Sequence, residues 1–303
     1  MLVVLAIGGN ALLRRGQPLE FDVQRKNLAA AVTSGLAPIA RKHQVVITHG
    51  NGPQIGLLAL QAAAYQAVSP YPLDVLGAES EGMIGYMVAQ AMANAVPGLE
   101  IATLLTQVAV DPADPAFATP TKPIGPIYDE ADMRRLAAQA QWSFAHDGHG
   151  FRRTVPSPAP RRIVEIASIK SLVRAGTAVI CAGGGGIPVV ADAQGLRGVE
   201  AVIDKDHTSA LLAEELDADA LLLLTDVPAV WTKWPMSEGD PIGLTSSESL
   251  KAHRFAPGSI GPKVEAACHF ADRTGRFVGI GAIEDAEAIL AGRAGTIVEG
   301  KSE

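Results

Sequence analysis

The chain has 303 residues, 48% of them hydrophobic but only 5% aromatic, which suits one large α/β domain or two lobes built on an Ala, Val and Leu core. Its formal charge of −7, from 25 basic and 32 acidic residues, argues against a general nucleic-acid or acidic-membrane surface, so an anionic ligand has to be caught by a local positive site. Cys181 and Cys268 lie far apart without metal or redox spacing and read as reduced, buried packing residues, with the cytoplasm as the natural compartment.

The opening run Val3–Ile7 has no basic segment before it and breaks at Gly8-Gly9, so it reads as a first buried strand rather than a signal peptide or membrane span. Leu28, Val32, Leu36 and Ile39 then follow helical spacing. A second apolar run, QVVIT, leads into HGNGPQIG, where Pro53 stands at a favoured first-turn position of a helix. Both runs end in a Gly-Asn turn, Gly8-Gly9-Asn10 and Gly50-Asn51-Gly52. Glycine lets main-chain N–H groups converge on an anion, and a following helix start adds its positive dipole end. That is a phosphate-holding arrangement. No G-x-x-x-x-G-K-[ST] cradle is present, so the lysines for phosphoryl chemistry must come from elsewhere. The second turn reads G-x-G-x-x-x-G, one residue too long for a dinucleotide fingerprint despite Asp74 downstream.

After a strand-like run IATLLTQVAV the rhythm breaks between about 111 and 165, a stretch rich in proline around one short helix, DEADMRRLAAQAQ. We expect a small inserted subdomain standing off the sheet. It carries Lys122 and the pair Arg152-Arg153, so it reads either as a cover over the substrate or as a surface excursion without function. His146 and His149 sit three apart in AHDGHG, with no further metal ligand apparent nearby, and are read as loop residues.

Further apolar runs, TAVICA, ADALLLLT and RFVGIG, alternate with helical segments. Continuous apolar strands separated by helices predict a mostly parallel open sheet covered on both faces: a three-layer αβα sandwich with the small insertion. Ligands then gather at the carboxyl ends of the strands. Four consecutive glycines, Gly183 to Gly186, point to close approach of main chain and ligand. In AVIDKDHTSALL, Asp206 is a candidate N-cap and Lys205 a candidate phosphate contact, although a surface ion cluster would give the same letters. Lys263 follows the glycine-bearing loop APGSIGP. Lys122, Lys205 and Lys263 all read as loop lysines.

Taken together, IGGNALL, THGNGPQIG, GAESEGMIGYM, PTKPIGP, FRRTVPSPAP, ICAGGGGIPVV, AVIDKD, LLLLTDV, APGSIGPKVEAA and GTIV resemble the carbamate kinase branch of the amino acid kinase family, in family order from Ala6 to Val298. The resemblance implies an αβα sandwich, ATP with Mg2+ as cofactor, and reversible phosphoryl exchange between ATP plus carbamate and ADP plus carbamoyl phosphate, run toward ATP. It implies that Lys122, Lys205 and Lys263 supply positive charge and that Asp206 orients lysines. Gly8, Gly9, Asn10, Gly50 and Asn51 would surround the phosphoryl group, with Arg153, Gly184 and Gly185 on the substrate side. Thr225, Asp226, Val227, Trp231 and the loop with Ala256, Gly258, Ser259, Ile260 and Gly261 would form the nucleotide side. A homodimer is also implied, with the Met-rich helix GMIGYMVAQAMANAV as either its contact or a core helix; no nucleic-acid or membrane partner is expected. His207 and the segment 232–250 depart from the family pattern. Two rival readings stand beside this one: a related kinase with another acceptor, and a nucleotide sensor without turnover.

Overall fold

The computed structural model describes residues 1–14, 16–65, 67–140, 142–233, 238–253, 255 and 260–300. Its centre is an eight-stranded sheet in the order Leu244–Ser246, Thr296–Glu299, Phe277–Ala282, Ala220–Thr225, Leu2–Ile7, Gln44–His49, Ala178–Ile180, Ile101–Thr103. Every neighbouring pair is parallel except Phe277–Ala282 with Thr296–Glu299.

Side-chain alternation along a strand explains the layers. From the first strand, Val4 and Ala6 enter one core with the helices Ile166–Arg174, Lys205–Glu215 and Gly261–Thr274. Val3, Leu5 and Ile7 enter another with the helices Phe21–Ala31, Leu73–Ala95 and Ala286–Leu290. Both faces are covered, so alternation disappears from the sequence and the strands read as unbroken apolar runs. This is the three-layer αβα arrangement. The helical segment carrying Leu28 to Ile39 runs through to Ala40, with one π turn at Val32–Leu36.

The segment 101–110 differs from its sequence reading. It is two strands, Ile101–Thr103 at the edge of the main sheet and Gln107–Val110 in a separate four-stranded sheet with Gly195–Gly198, Ile187–Asp192 and Pro160–Ile163. The chain turns out at 104–106 because buried partners claim its backbone: Leu104 N donates to Ile180 O at 2.9 Å and Thr106 N to Glu81 Oε2 at 3.2 Å.

A third sheet has three antiparallel strands in the order Lys122–Tyr128, Gly150–Val155, Ser143–Asp147, beside the helix Glu130–Ala140. Its base is packed. Ile124 and Val155 share a cluster with Ile55, Ala59, Leu73 and Leu76, and the backbone of Gly125 lies so close to Gly56 that a Cβ there would sit 1.9 Å from Gly125 Cα. Gly125 itself has φ +73°, a conformation glycine adopts without strain.

The helix Leu73–Ala95 buries Ile84, Met87, Val88 and Met92 against the sheet and leaves Val75, Met83 and Tyr86 exposed. Among the described residues no helix is long and apolar enough to cross a membrane. Cys181 and Cys268 are free thiols, both buried.

Candidate phosphoryl-transfer site

Both Gly-Asn turns fall at the carboxyl ends of adjacent central strands. Gly8 N donates to Leu224 O at 3.0 Å and Gly50 N to Ile7 O at 3.1 Å, extending the strand ladder to the lip of the sheet. Gly9 and Asn10 continue as a short 3-10 turn, while Asn51 precedes the helix Gly52–Ala64. The turns stand side by side: a Cβ on Gly50 would lie 3.1 Å from Gly9 N and 3.5 Å from Lys205 Cδ. A Cβ here would be tight against the Gly9 backbone and in contact with the Lys205 stem.

The tetraglycine segment closes the same end. Gly184, Gly185 and Gly186 have φ of +67°, +96° and +82°, and any side chain at Gly184 would collide with the Asn51 amide. Thr208 donates to Gly185 O at 2.9 Å, which ties the turn to the helix Lys205–Glu215.

The three lysines, drawn from three distant segments, meet on two aspartates. Lys122 Nζ donates to Asp204 Oδ2 at 2.7 Å. Lys205 Nζ donates to Asp206 Oδ1 at 2.5 Å, and Lys263 Nζ to Asp206 Oδ2 at 3.0 Å. Asp204 Oδ1 accepts Asp206 N at 2.9 Å, so the network is continuous. Lys205, Asp206 and Lys263 are buried.

Electrostatics follow from this crowding. For Asp206, burial favours the neutral acid, but Lys205 and Lys263 outweigh it and hold the carboxyl below its ordinary range. Asp204 is held well down too: burial opposes ionisation, and Lys122 foremost overcomes it. Lys205 is pulled down by burial, with Lys263 adding repulsion and Asp206 opposing. Lys263 is raised: burial works against its charge, and Asp206, then Asp204 and Asp226, prevail. Three amines face two carboxylates, so the cluster keeps positive charge beyond its own ion pairs with which to meet an anion.

Two sequence expectations change. Lys205 and Lys263 sit in helical first turns, in Lys205–Glu215 and Gly261–Thr274, and Lys122 begins a strand, so none is a loop lysine. The N-cap is Asp204, not Asp206, because its extended backbone aims its carboxylate at Asp206 N.

Arg153 occupies a different setting from the lysine network. Its guanidinium stacks 3.9 Å from the Trp142 ring centroid and reaches Glu200 Oε1 at 3.4 Å. Glu200 Oε2 in turn accepts Leu73 N at 2.8 Å, tying the inserted sheet to the body. Burial lowers the Arg153 pKa to about 10, against the pull of Glu200 and Tyr128.

On the proposed nucleotide side, Thr225 ends a central strand and its hydroxyl donates to Asp226 Oδ1 at 3.1 Å. Val227 follows, and Trp231 lies on a short strand with a buried Nε1 that has no partner among the described residues. Ile260 and Gly261 open the helix that carries Lys263. Ala256, Gly258 and Ser259 lie outside the described residues. His207 is on a helix with Nε2 3.4 Å from Glu265 Oε2, and His146 packs edge-on to Phe151.

Sequence reasoning set Asp204 with Lys205 and Asp206 at the ligand-bearing edge without giving it a role, and passed over Ser80 and Glu81. Glu81 had a signal: it falls on the helix stripe Leu73, Leu76, Gly77, Ser80, Ile84, Gly85, Val88, all buried. A charged residue on an apolar stripe is unusual without partners.

Residues 1–280 match the amino acid kinase family. The chain is 53% identical over 305 residues to a carbamate kinase of Haemophilus influenzae, covering 100% of this chain and 98% of that one. It is 52% identical to a carbamate kinase of Rhizobium meliloti, covering 98% and 93%. Among solved structures, carbamate kinase from Giardia lamblia bound to AMP-PNP superposes with TM-score 0.90 at 39% identity, covering 99% of this chain and 98% of that chain.

Proposed function

The chain belongs to the amino acid kinase family, and from that premise we propose that it exchanges a phosphoryl group between ATP plus carbamate and ADP plus carbamoyl phosphate, in the direction of ATP formation. The observation that carries the reading is the convergence of Lys122, Lys205 and Lys263 on Asp204 and Asp206 beside two glycine turns at the sheet's carboxyl edge.

The chemistry needs such a site. A carbamate oxygen is already anionic, so its attack on the terminal phosphorus of ATP requires no proton abstraction, and the bond from phosphorus to the ADP oxygen breaks as the new one forms. The obstacle is repulsion between two anions. Fixed amines and main-chain donors lower it without reorganising during the reaction.

In this reading Gly8, Gly9, Asn10, Gly50 and Asn51 surround the phosphoryl group, and Gly184 and Gly185 line the acyl side. Lys122, Lys205 and Lys263 neutralise its charge and that of the leaving oxygen, while Asp206 keeps two of those amines in place. Thr225, Asp226, Val227, Trp231, Ile260 and Gly261, with Ala256, Gly258 and Ser259, serve the nucleotide. Arg153 acts from the inserted sheet, over residues 111–165, which works as a cover carrying Lys122 to the substrate.

Mg2+ enters with the nucleotide. Both aspartates of the network are engaged by lysine amines, and among the described residues no three His, Cys, Asp or Glu side chains form a metal cage. Brought in on the nucleotide, the cation would supply charge neutralisation. A cytoplasmic homodimer, with the exposed face of Leu73–Ala95 as contact, completes the reading.

The test is ATP formation by purified protein from ADP and carbamoyl phosphate, beside a panel of other acyl phosphates and phosphorylated acceptors. Turnover with carbamoyl phosphate above the rest supports the reading. Preference for another substrate, or nucleotide binding without transfer to any acceptor, refutes it.

A further inference from the structure

Beneath the tetraglycine turn lies a carboxyl group that the chemistry above does not use. Glu81 is 1% exposed, on the buried stripe of the helix Leu73–Ala95. Its two oxygens hold two different backbones: Oε1 accepts Gly183 N at 2.9 Å, and Oε2 accepts Thr106 N at 3.2 Å. The preceding residue, Ser80, takes Asn51 Nδ2 at 2.8 Å. One turn of one helix therefore fixes both the Asn51 turn and the tetraglycine turn.

Those two turns are pressed together. A Cβ at Gly184 would strike the Asn51 amide at 2.1 Å, and one at Gly183 would strike the His49 ring at 2.3 Å and approach Glu81 Cγ at 3.0 Å. A small shift of Gly183 on its carboxyl anchor thus moves Gly184 against Asn51. Thr106 adds a second tie, its hydroxyl accepting Ala182 N at 2.9 Å.

We propose that Glu81 is a positioning residue for the acyl-phosphate side of the site: by holding Gly183 and Thr106 it sets the tetraglycine turn against Asn51, and so shapes the pocket for carbamoyl phosphate rather than for ADP. The inference rests on the carbamate kinase reading. Its selectivity follows from place, because the turns it holds are on the acyl side while Thr225 to Trp231 and Ile260 belong to other strands and loops.

The protonation state fits this task. Burial raises the Glu81 carboxyl to about 8, against the opposing hydrogen bonds from Thr106 and Gly183, with Glu165 adding a small upward push. Of the titratable groups around it, Glu165 and the nearby Lys205 act as charges, whereas His49 and Cys181 are uncharged at neutral pH. His49, at the end of the neighbouring strand, is lowered to about 4, foremost by burial, and its Nε2 is buried with no partner among the described residues. The Cys181 thiol is pushed far up by burial and by Glu81 itself. Burial thus pushes the acid toward its neutral form, and ionisation of Glu81 at alkaline pH adds a negative charge to the helix turn that supports the tetraglycine segment.

Michaelis constants for carbamoyl phosphate and ADP, measured from pH 6.5 to 9 for the wild-type enzyme, Glu81→Gln and Glu81→Ala, test the inference. Glu81→Ala is expected to raise KM for carbamoyl phosphate about tenfold or more while KM for ADP stays within about twofold. Glu81→Gln keeps one acceptor, so its KM rises less at pH 7. It also shows a smaller increase than the wild type as pH passes about 8. Equal changes in both Michaelis constants overturn the assignment, and so does an alkaline rise in KM for carbamoyl phosphate as large in Glu81→Gln as in the wild type, since deprotonation of Lys205 is common to both. If Glu81→Ala does not fold, the pH profile of Glu81→Gln decides alone. Failure of the wild type to make ATP from carbamoyl phosphate strikes down the functional reading and this inference with it, whereas wild-type turnover with unselective variants strikes down this inference only.

Discussion

At Asp206 one carboxylate serves two buried amines, and the balance among the three charges decides how the site behaves. Removing a partner of a buried ion pair leaves an uncompensated charge, at a cost of about 3–5 kcal/mol. Asp206→Ala is therefore expected to lower the urea midpoint markedly, and to reduce turnover as Lys205 and Lys263 move apart. Unchanged stability would show that the lysines find other partners. His49 gives a pH prediction. Its pKa lies near 4 in the folded protein against an ordinary value of 6.5, so between those values the unfolded chain binds the extra proton. Stability is then full above about pH 6.5 and falls as pH drops toward 4, by roughly 3 kcal/mol from this residue. Denaturation midpoints of wild type and His49→Gln should converge as pH falls from 7 to 4.5, and parallel curves would contradict this. These residue roles were only partly legible in sequence. The lysines stood out because proline, glycine and aspartate surround them. The cap role of Asp204 did not, since it depends on where the helix begins, and Glu81 showed only as a charge on an apolar stripe, since its partners are backbone groups brought in by remote turns.

Among the elements, the helix Gly52–Ala64 and the strand Lys122–Tyr128 carry the inserted sheet, and their contact at Gly56 and Gly125 has no room for a methyl group. Gly56→Ala should push the sheet off its base, separating Lys122 from Asp204. The expected outcome is reduced turnover with loss of protection in hydrogen exchange across 122–155, against near-normal exchange in the central strands. Uniform exchange in the variant would mean that the sheet does not move separately. The helix Lys205–Glu215 depends on Asp204 for its N-cap and for its link to Lys122. Asp204→Ala is expected to cost about 0.5–2 kcal/mol through the cap alone, and more through the lost ion pair. Parallel strands were readable as apolar runs between helical periods. The split of 101–110 into two sheets was not, because Leu104 and Thr106 are claimed by Ile180 and Glu81, contacts that local pattern cannot show. In the insertion, Pro123 and Pro126 fall inside the strand Lys122–Tyr128 and so argued against a strand there.

For the molecule as a whole, covering the sheet on both faces places the Gly-Asn turns and the starts of three helices at one edge, which is why residues from 8 to 263 share a site. The same burial shuts away both thiols: Cys181 and Cys268 are free and buried, and burial raises the Cys268 thiol to about 11 and that of Cys181 further. A thiol reagent at neutral pH should therefore titrate neither cysteine in the folded protein and both after unfolding. Rapid labelling of the native protein would show that one of these cores opens readily.

The central claim is that three amines from distant segments act on one migrating phosphoryl group. The most direct measurement is kcat for ATP formation from ADP and carbamoyl phosphate by folded Lys122→Ala, Lys205→Ala and Lys263→Ala variants. The account predicts losses of about 10²- to 10³-fold for Lys205→Ala and Lys263→Ala, the usual scale for one well-placed donor, and a clear loss for Lys122→Ala. Near-wild-type turnover in folded Lys205→Ala or Lys263→Ala would contradict it.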